Sequence, residues 1–378
     1  MKVLVLGAGM MGSAAAYDLV KHGNLDKVFV CDVDKERVKT VSQKTGAEPL
    51  VANVENTESV KRAFKKADVV LSAVPYFYNL KLTKIAISMG KSLCDLGGNI
   101  DVVQQQLALN EKAKAKNVTI IPDCGLAPGM VNVLAAKLIS MLDLAEEVKL
   151  RVGGLPQNPK PPLNYSLVFS AHGLINEYYE KCIVLRDCKI HYREPLEDLE
   201  KLEFKGFPEL EAFNTSGGSS TLPFTFQGKV KNLDYKTIRY AGHCEKIKLL
   251  FALGLASKEP VVVDGKKVVP RNLFAKLLET NLPKSKDLVL LRVTAKGVSQ
   301  GSKKTMVYEL VDYQDEKTGH TAMMRTTAYP ASVVAKMIAE GKVRTGVYTN
   351  EVAVNPDAFV DELDRRGLKL QFREERSM

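Results

Sequence analysis

Gly7-Ala8-Gly9-Met10-Met11-Gly12 follows an apolar run and precedes a helix-like stretch, the context in which GxGxxG spacing holds a pyrophosphate. The first glycine permits a tight turn, the second lets phosphate approach the backbone, and the third allows close helix–strand packing. Unsatisfied N–H groups at the helix start add partial positive charge. Asp32 stands twenty positions beyond Gly12, where a carboxylate accepts hydrogen bonds from ribose hydroxyls and repels a 2′-phosphate. Lys35 and Arg37 lie close by and can offset that repulsion, so the spacing favours NAD over NADP without requiring it. A plain glycine turn, with Asp32 capping the next helix, is the alternative.

Ligands in such folds lie beyond the carboxyl ends of the strands. Reading those ends gives Val74-Pro75-Tyr76 after the fourth strand, Asp95 at the end of the fifth and Asp123-Cys124-Gly125 after the sixth. Tyr76, Asp95 and Cys124 therefore form a candidate catalytic set beside the nicotinamide, with Val74 and Pro75 lining the cofactor. Hydride transfer from an amine-bearing carbon needs a neutral amine, hence a general base. Each side chain also has a structural role open to it: Cys124 as core filler, Asp95 as a helix cap, Tyr76 as a loop anchor.

Six short apolar runs alternate with helical periodicity up to residue 124: Lys2 to Leu6, Lys27 to Cys31, Glu48 to Val51, Val69 to Ala73, Ser92 to Asp95 and Val118 to Ile121. Helix-like stretches include Met11 to Lys21 and Val102 to Lys116. That rhythm predicts an α/β fold with a Rossmann doubly wound parallel sheet. After Gly125 the pattern changes, with Pro128 placed to open a helix. Longer alternating runs follow at Glu147 to Val152, Lys286 to Ala295, Thr305 to Asp312 and Thr321 to Ala328. They predict a second α/β domain with a largely antiparallel sheet, with helices near Gly242 to Leu253 and Asn272 to Leu282. Gly153 to Pro162 and Thr215 to Thr221 read as turn-rich. The expected division is 1–124 for the dinucleotide, 125–330 for substrate, and 331–378 as C-terminal helices.

The 378 residues are 45% hydrophobic and 26% charged, a globular composition long enough for two cores. No eighteen-residue apolar run exists to cross a membrane, and because Met1-Lys2 leads straight into the first strand no signal peptide is expected. The six cysteines show no metal spacing, so no metal is expected and a reducing cytoplasm fits them. A net charge of +10 is dispersed and lacks aromatic interleaving, which argues against nucleic acid.

Four blocks in this order carry a family resemblance: Val74-Pro75-Tyr76, Cys124 to Gly129, Gly153-Gly154-Leu155-Pro156, and Thr237-Ile238-Arg239-Tyr240-Ala241-Gly242-His243. With them the chain resembles the saccharopine dehydrogenase family, in the branch of saccharopine reductases and lysine 6-dehydrogenases. The resemblance implies a substrate and dimerisation domain, a homodimer, C-terminal helices returning to the first domain, and amine chemistry on a lysine side chain. It also implies active-site roles for Tyr76, Asp95 and Cys124. Where saccharopine reductases carry a carboxylate-binding arginine, this sequence has His172, in the segment Ser170 to Tyr179. Losing that bidentate clamp favours free L-lysine as substrate. Arg239 and His243, at a strand–helix junction, are candidates to grip its α-carboxylate. A helix-capping His243 and an interface-pairing Arg239 are the alternatives. The expected reaction is NAD-dependent oxidation of the ε-amine with release of ammonia. Reductive condensation of an aldehyde with an amino acid and a non-catalytic NAD-binding redox sensor are the rivals.

Overall fold

The structure, a computed structural model, describes residues 1–376. In chain order the first elements are β1 (Lys2–Leu6), α1 (Met10–His22), β2 (Lys27–Asp32), α2 (Lys35–Thr45), β3 (Glu48–Val51), α3 (Thr57–Phe64) and β4 (Val69–Ser72). Then come α4 (Asn79–Ser88), β5 (Ser92–Asp95), α5 (Ile100–Leu107), α6 (Asn110–Ala115), β6 (Thr119–Ile121) and α7 (Met130–Ser140). The middle of the chain forms β7 (Leu144–Pro156), α8 (Ala171–Glu177), β8 (Cys182–Arg186), β9 (Lys189–Arg193), β10 (Glu200–Leu202), β11 (Leu210–Asn214), α9 (Leu222–Phe226), β12 (Val230–Tyr240) and α10 (His243–Ala252). The remainder is β13 (Val261–Val263), β14 (Lys266–Val268), α11 (Pro270–Asn281), β15 (Asp287–Ser299), β16 (Ser302–Tyr313), α12 (Ala322–Ala339), β17 (Gly346–Val347), α13 (Asn350–Ala353), α14 (Pro356–Arg365) and β18 (Gln371–Arg376).

Two compact units result. Among the described residues the first comprises 1–141, 220–222 and 324–370, the second 142–219, 223–323 and 371–376. In the first unit seven strands pair in the order β17-β6-β5-β4-β1-β2-β3, every pair parallel. This is the doubly wound order expected, extended at the β6 edge by β17, which is too short to announce itself in sequence. Val3 to Leu6 are wholly buried, as strands covered on both faces must be. Local chemistry sets the helix ends: the Asp34 carboxylate caps α2 by accepting from the Glu36 and Arg37 amides, and Gly46 closes it at φ +82°.

In the second unit the sheet runs β10-β11-β12-β7-β15-β16-β18, with β8 and β9 attached beside β12. Only β12 and β7 are parallel; the other pairs are antiparallel. Helices α8, α10 and α11 bury Leu174, Ile247 and Phe274 in one apolar cluster with Tyr165, Tyr178 and Phe213. Gly153 is needed because a Cβ there would lie 2.4 Å from the Ile238 carbonyl oxygen of neighbouring β12.

Several elements differ from the sequence expectation. Where a strand is expected from Thr321 to Ala328, helix α12 begins at Ala322; buried on nearly every side, its first turns show no 3.6-residue period to set against their β-branched threonines. The expected helix Val102 to Lys116 is broken between α5 and α6. Pro128 does not open α7, whose N-cap is Gly129 at φ +136°. Gly153 to Pro156 continues β7 instead of turning. Among the described residues no helix is long and apolar enough to cross a membrane.

Candidate functional site

In the first unit the glycine turn is built as its spacing requires. Gly7 stands at φ +104°, and a Cβ there would lie 2.7 Å from the Ala73 carbonyl oxygen. A Cβ on Gly12 would fall 1.8 Å from the Gly7 oxygen, so only glycine lets α1 pack on the turn. Gly9, the N-cap of α1, is different: a Cβ on it would meet nothing within 4 Å. It faces open space in front of a helix N-terminus, the place a pyrophosphate fits.

Asp32 orders this loop. Its Oδ2 accepts from the Ala8 amide at 2.8 Å and its Oδ1 from the Asp34 amide at 3.1 Å. Arg37 lies 3.8 Å from Asp32 and 3.5 Å from Asp34. Beside them opens a cavity of about 360 Å³, walled by Val33, Ala52, Val54, Val74, Pro75 and Tyr78, with Asp32 and Arg37 at its polar edge. A second cavity of about 430 Å³ runs past Ala8, Gly9, Met10 and Ser13 to Arg37 and Lys44. An apolar slot ending in a carboxylate, joined to a glycine-lined helix start, suits adenosine ribose and pyrophosphate. Met11 belongs to the same turn, half-buried at the start of α1.

At the ends of β4, β5 and β6 the structure brings Asp95 and Cys124 together, with a third group the sequence reading passed over, Asp123. Asp95 is wholly buried; Oδ1 accepts from the Gly97 amide at 2.8 Å and the Asp123 amide at 3.3 Å, and Oδ2 from Gln106 at 2.7 Å. Burial raises its pKa while those bonds oppose the rise. Cys124 is equally buried, its thiol directed at the Ile121 and Pro122 carbonyls, and burial with neighbouring Cys94 pushes it far above the ordinary thiol range. Asp123, at φ +59°, accepts from the Ser220 hydroxyl and is pushed up to about 8, first by burial and then by Asp95 and Glu351. Tyr76 follows β4 in a single 3-10 turn and stays half-buried; a Cβ on Gly98 would lie 3.2 Å from its own, so the ring rests on that glycine.

The second unit carries a different arrangement. Arg239 on β12 is buried, and among the described residues no carboxylate forms an ion pair with it. Its Nε donates to the Tyr178 hydroxyl at 2.8 Å, Nη1 to the Ile238 carbonyl at 2.9 Å, and its Cζ lies 4.7 Å from the Tyr165 ring centre. Tyr178 in turn meets His243 Nε2 at 3.1 Å, and His243 Nδ1 meets the Leu163 carbonyl at 3.0 Å. Burial, with Arg239 nearby, lowers His243 to about 3, so the ring is neutral. A neutral imidazole donating from Nδ1 must accept at Nε2, which fixes the direction of the whole chain. His243 therefore braces Arg239 through Tyr178. His172 is not brought to this group: it is exposed on α8, five residues and roughly 140° of helix away from Glu177. Glu177, half-buried at the end of α8, is raised to about 7 by burial against the opposing pull of Arg239.

Comparison with known proteins accounts for both halves. The family profile "Saccharopine dehydrogenase NADP binding domain" matches residues 3–121, and "Saccharopine dehydrogenase C-terminal domain" matches residues 125–368. The chain belongs to the saccharopine dehydrogenase family. Among its relatives, the mitochondrial alpha-aminoadipic semialdehyde synthase of Mus musculus is 22% identical over 93% of this chain and 46% of its own. The chain thus spans about half the length of that relative. Carboxynorspermidine synthase of Vibrio cholerae is 22% identical across 97% of this chain and 96% of its own. Saccharopine dehydrogenase [NADP(+), L-glutamate-forming] of Schizosaccharomyces pombe is 20% identical across 98% of both. The fold matches that of apo saccharopine dehydrogenase (L-Glu forming) from Saccharomyces cerevisiae with a TM-score of 0.79 over the whole of both chains at 19% identity. A nicotinamide dinucleotide is the cofactor of such a first unit, and the Gly9 opening and Asp32 slot fit it.

The residues that sequence reading missed share one property. Tyr178 and Glu177 lie in the Ser170 to Tyr179 segment marked only by His172, and Asp123 directly precedes the candidate Cys124. A tyrosine and a glutamate ending a short helix carry no spacing signal; only the fold sets them beside Arg239.

Proposed function

We propose that this chain is an NAD-dependent oxidoreductase that oxidises the ε-amine of L-lysine. The observation that carries the reading is Arg239: a buried guanidinium held in place by Tyr178 and, among the described residues, left without a carboxylate in an ion pair. Burying an unpaired charge is costly, so such a group is kept for a ligand anion. A carboxylate on the substrate supplies it, in the charge-assisted geometry guanidinium favours.

The bound dinucleotide supplies the hydride acceptor for the Cε–H bond. Loss of that hydride to the dinucleotide and of a nitrogen proton to solvent leaves an imine; water adds, ammonia departs, and 2-aminoadipate 6-semialdehyde closes on its own α-amine, expelling water, to piperideine-6-carboxylate. We assign Arg239 the α-carboxylate; among the three strand-end candidates of the first unit, Tyr76 alone is not sealed in. Asp95 and Cys124, expected as the base, are better suited to hold the β5 and β6 ends in place. One carboxylate is spent on three hydrogen bonds and the other group is a neutral thiol. NAD is favoured because the Asp32 carboxylate lies where a 2′-phosphate would need room, and Arg37 is already drawn to Asp32 and Asp34. The resemblance leads us to propose a homodimer as well, which sedimentation velocity tests.

The test is NADH formation followed at 340 nm with L-lysine, L-ornithine, L-saccharopine and buffer alone. Turnover of saccharopine without lysine overturns the assignment. A second reading, reductive condensation of an aldehyde with an amino acid, is favoured by the names of the relatives. It requires amino-acid-dependent oxidation of NADPH in the same assay run backwards.

A further inference from the structure

We infer that Glu55 and Tyr78 select the adenine base of the dinucleotide by presenting two hydrogen-bond acceptors to its exocyclic 6-amino group. This deepens the proposed function and rests on its dinucleotide reading, because it names the residues that choose the base.

The cavity of about 360 Å³ beside the glycine turn has two kinds of wall. Val33, Val54, Val74 and Pro75 supply apolar surface, which suits the faces of a flat aromatic base. Glu55 and Tyr78 line the same cavity, and the Tyr78 hydroxyl donates to Glu55 Oε1 at 3.0 Å. That bond uses the only proton the tyrosine has. The pair is left with lone pairs to offer: those of the Tyr78 oxygen and of Glu55 Oε2, which accepts from no described residue. The carboxylate holds the phenol proton on Tyr78 and raises its pKa, so toward a ligand the oxygen stays an acceptor. Arg37, the cation on the same lining, is drawn to Asp32 at 3.8 Å and to Asp34 at 3.5 Å.

Both residues are held in place by their own neighbours. Between β3 and α3, Asn53 Oδ1 accepts from the Glu55 amide at 2.9 Å. The Lys81 ammonium on α4 donates to the Val54 and Glu55 carbonyls at 3.0 and 2.7 Å. Tyr78 ends the 3-10 turn after β4, where its amide donates to the Pro75 carbonyl at 3.1 Å and its ring lies 4.5 Å from that of Phe77. Acceptors fixed in this way lose little ordering entropy when a ligand arrives.

Adenine carries an amino group with two hydrogens at its 6-position, one for each oxygen. Hypoxanthine carries a carbonyl there, and its lone pairs would face those of both acceptors. A site built to accept rejects the analogue that cannot donate at that point.

The experiment is calorimetric titration of the full chain with NAD and with nicotinamide hypoxanthine dinucleotide, in which a carbonyl replaces that amino group. Wild type, Glu55→Gln and Tyr78→Phe are compared, and NADP and its hypoxanthine counterpart are titrated alongside. In whichever pair it accepts, wild type is expected to bind the adenine form about tenfold more tightly, the scale of one hydrogen bond to a charged group. Glu55→Gln can turn its amide NH2 toward a carbonyl, so the preference should fall to about twofold or less. Glu55 is exposed, so this variant is expected to keep the wild-type Tm. Tyr78→Phe removes one acceptor, keeps the other and should retain part of the preference. A wild type indifferent to the base, or a full preference that survives in Glu55→Gln, overturns the inference, while dinucleotide binding leaves the proposed function standing. A folded chain that binds none of these nucleotides overturns both.

Discussion

Arg239 donates from Nε to the hydroxyl of Tyr178 at 2.8 Å, although the two residues are sixty-one positions apart in the chain. Because that oxygen receives the guanidinium hydrogen, its own proton is directed to His243 Nε2. Tyr178→Phe deletes the shared hydroxyl and leaves Arg239 Nε and His243 Nε2 unpartnered in a buried place. The expected cost is about 1–3 kcal/mol of stability. Substrate KM should rise by about tenfold with kcat within about twofold, the signature of lost uniform binding. Steady-state kinetics decide it: a fall in kcat at constant KM would put Tyr178 in the chemistry instead.

The glycine turn separates folding from ligand binding. Gly9 has φ −70° and open space before its missing Cβ, so Gly9→Ala is expected to fold with an unchanged Tm. Dinucleotide affinity should nonetheless fall by about tenfold or more, because the methyl stands where the pyrophosphate approaches the backbone. Asp32→Ser keeps an acceptor for the Ala8 amide and removes the charge, and should shift the NAD/NADP affinity ratio by about tenfold toward NADP. Fluorescence titration with both nucleotides reads both variants. An unaltered affinity in Gly9→Ala would show that the open face is not the phosphate site.

Why the first unit could be read so directly, and the second so poorly, follows from the range of the signals. The glycine turn and the short parallel strands β1 to β6 are encoded within a few residues each, whereas the cap of α2 falls on Asp34 and not on Asp32. Arg239 and His243 were visible because one strand–helix junction carries both. Glu177, Tyr178 and Asp123 draw their character from partners dozens of residues away: Asp123 from Ser220 and Glu351, Glu177 from Arg239. The first half of helix α12 reads as a strand, Thr321 to Ala328, whereas its second half, Ala331 to Ala339, reads as the helix it is. That first half is buried on nearly every side, so no amphipathic period marks it.

Asp123 should make the protein less stable as pH rises. Its pKa is about 8 in the fold against 3.8 for an ordinary aspartate, burial being the main cause. Between those values the native state keeps a proton that the unfolded chain has released, so stability is complete below about pH 4 and is lost progressively toward pH 8. The slope is about 1.4 kcal/mol per pH unit for this one group. Asp123→Asn retains an acceptor for the Ser220 hydroxyl and removes the titration. The variant is therefore expected to gain on wild type steadily from pH 5 to pH 8 in urea denaturation. Parallel stability profiles for the two proteins across that range would contradict the assignment.

The C-terminal helix α14 is tied to the glycine-turn helix α1 by a wholly buried ion pair, Arg366 Nε to Asp18 Oδ2 at 2.8 Å, with Arg366 Nη1 also on Glu362. Burial still lifts Asp18 to about 6 despite the guanidinium, and Asp18 Oδ1 and Arg366 Nη2 find no partner. The pair is therefore poorly repaid for its desolvation, and its removal as a unit should be tolerated. Arg366→Met alone strands the carboxylate and should cost roughly 3–5 kcal/mol at pH 8. Glu362 keeps Lys336 at 2.9 Å, so the loss falls on Asp18. Without Arg366 the Asp18 pKa rises further, so the native state holds its proton to higher pH. The deficit should then shrink toward pH 5, where the carboxyl is protonated, and grow as pH rises. Asp18→Leu with Arg366→Met removes both charges and should return to within about 1–2 kcal/mol of wild type, with its pH dependence gone. Urea midpoints at constant m-value measure all three proteins. If the double variant instead shows the sum of two large single losses, the pair stabilises the fold by itself, and the anchoring of α14 to α1 depends on that charge pair and not on the apolar contacts around it.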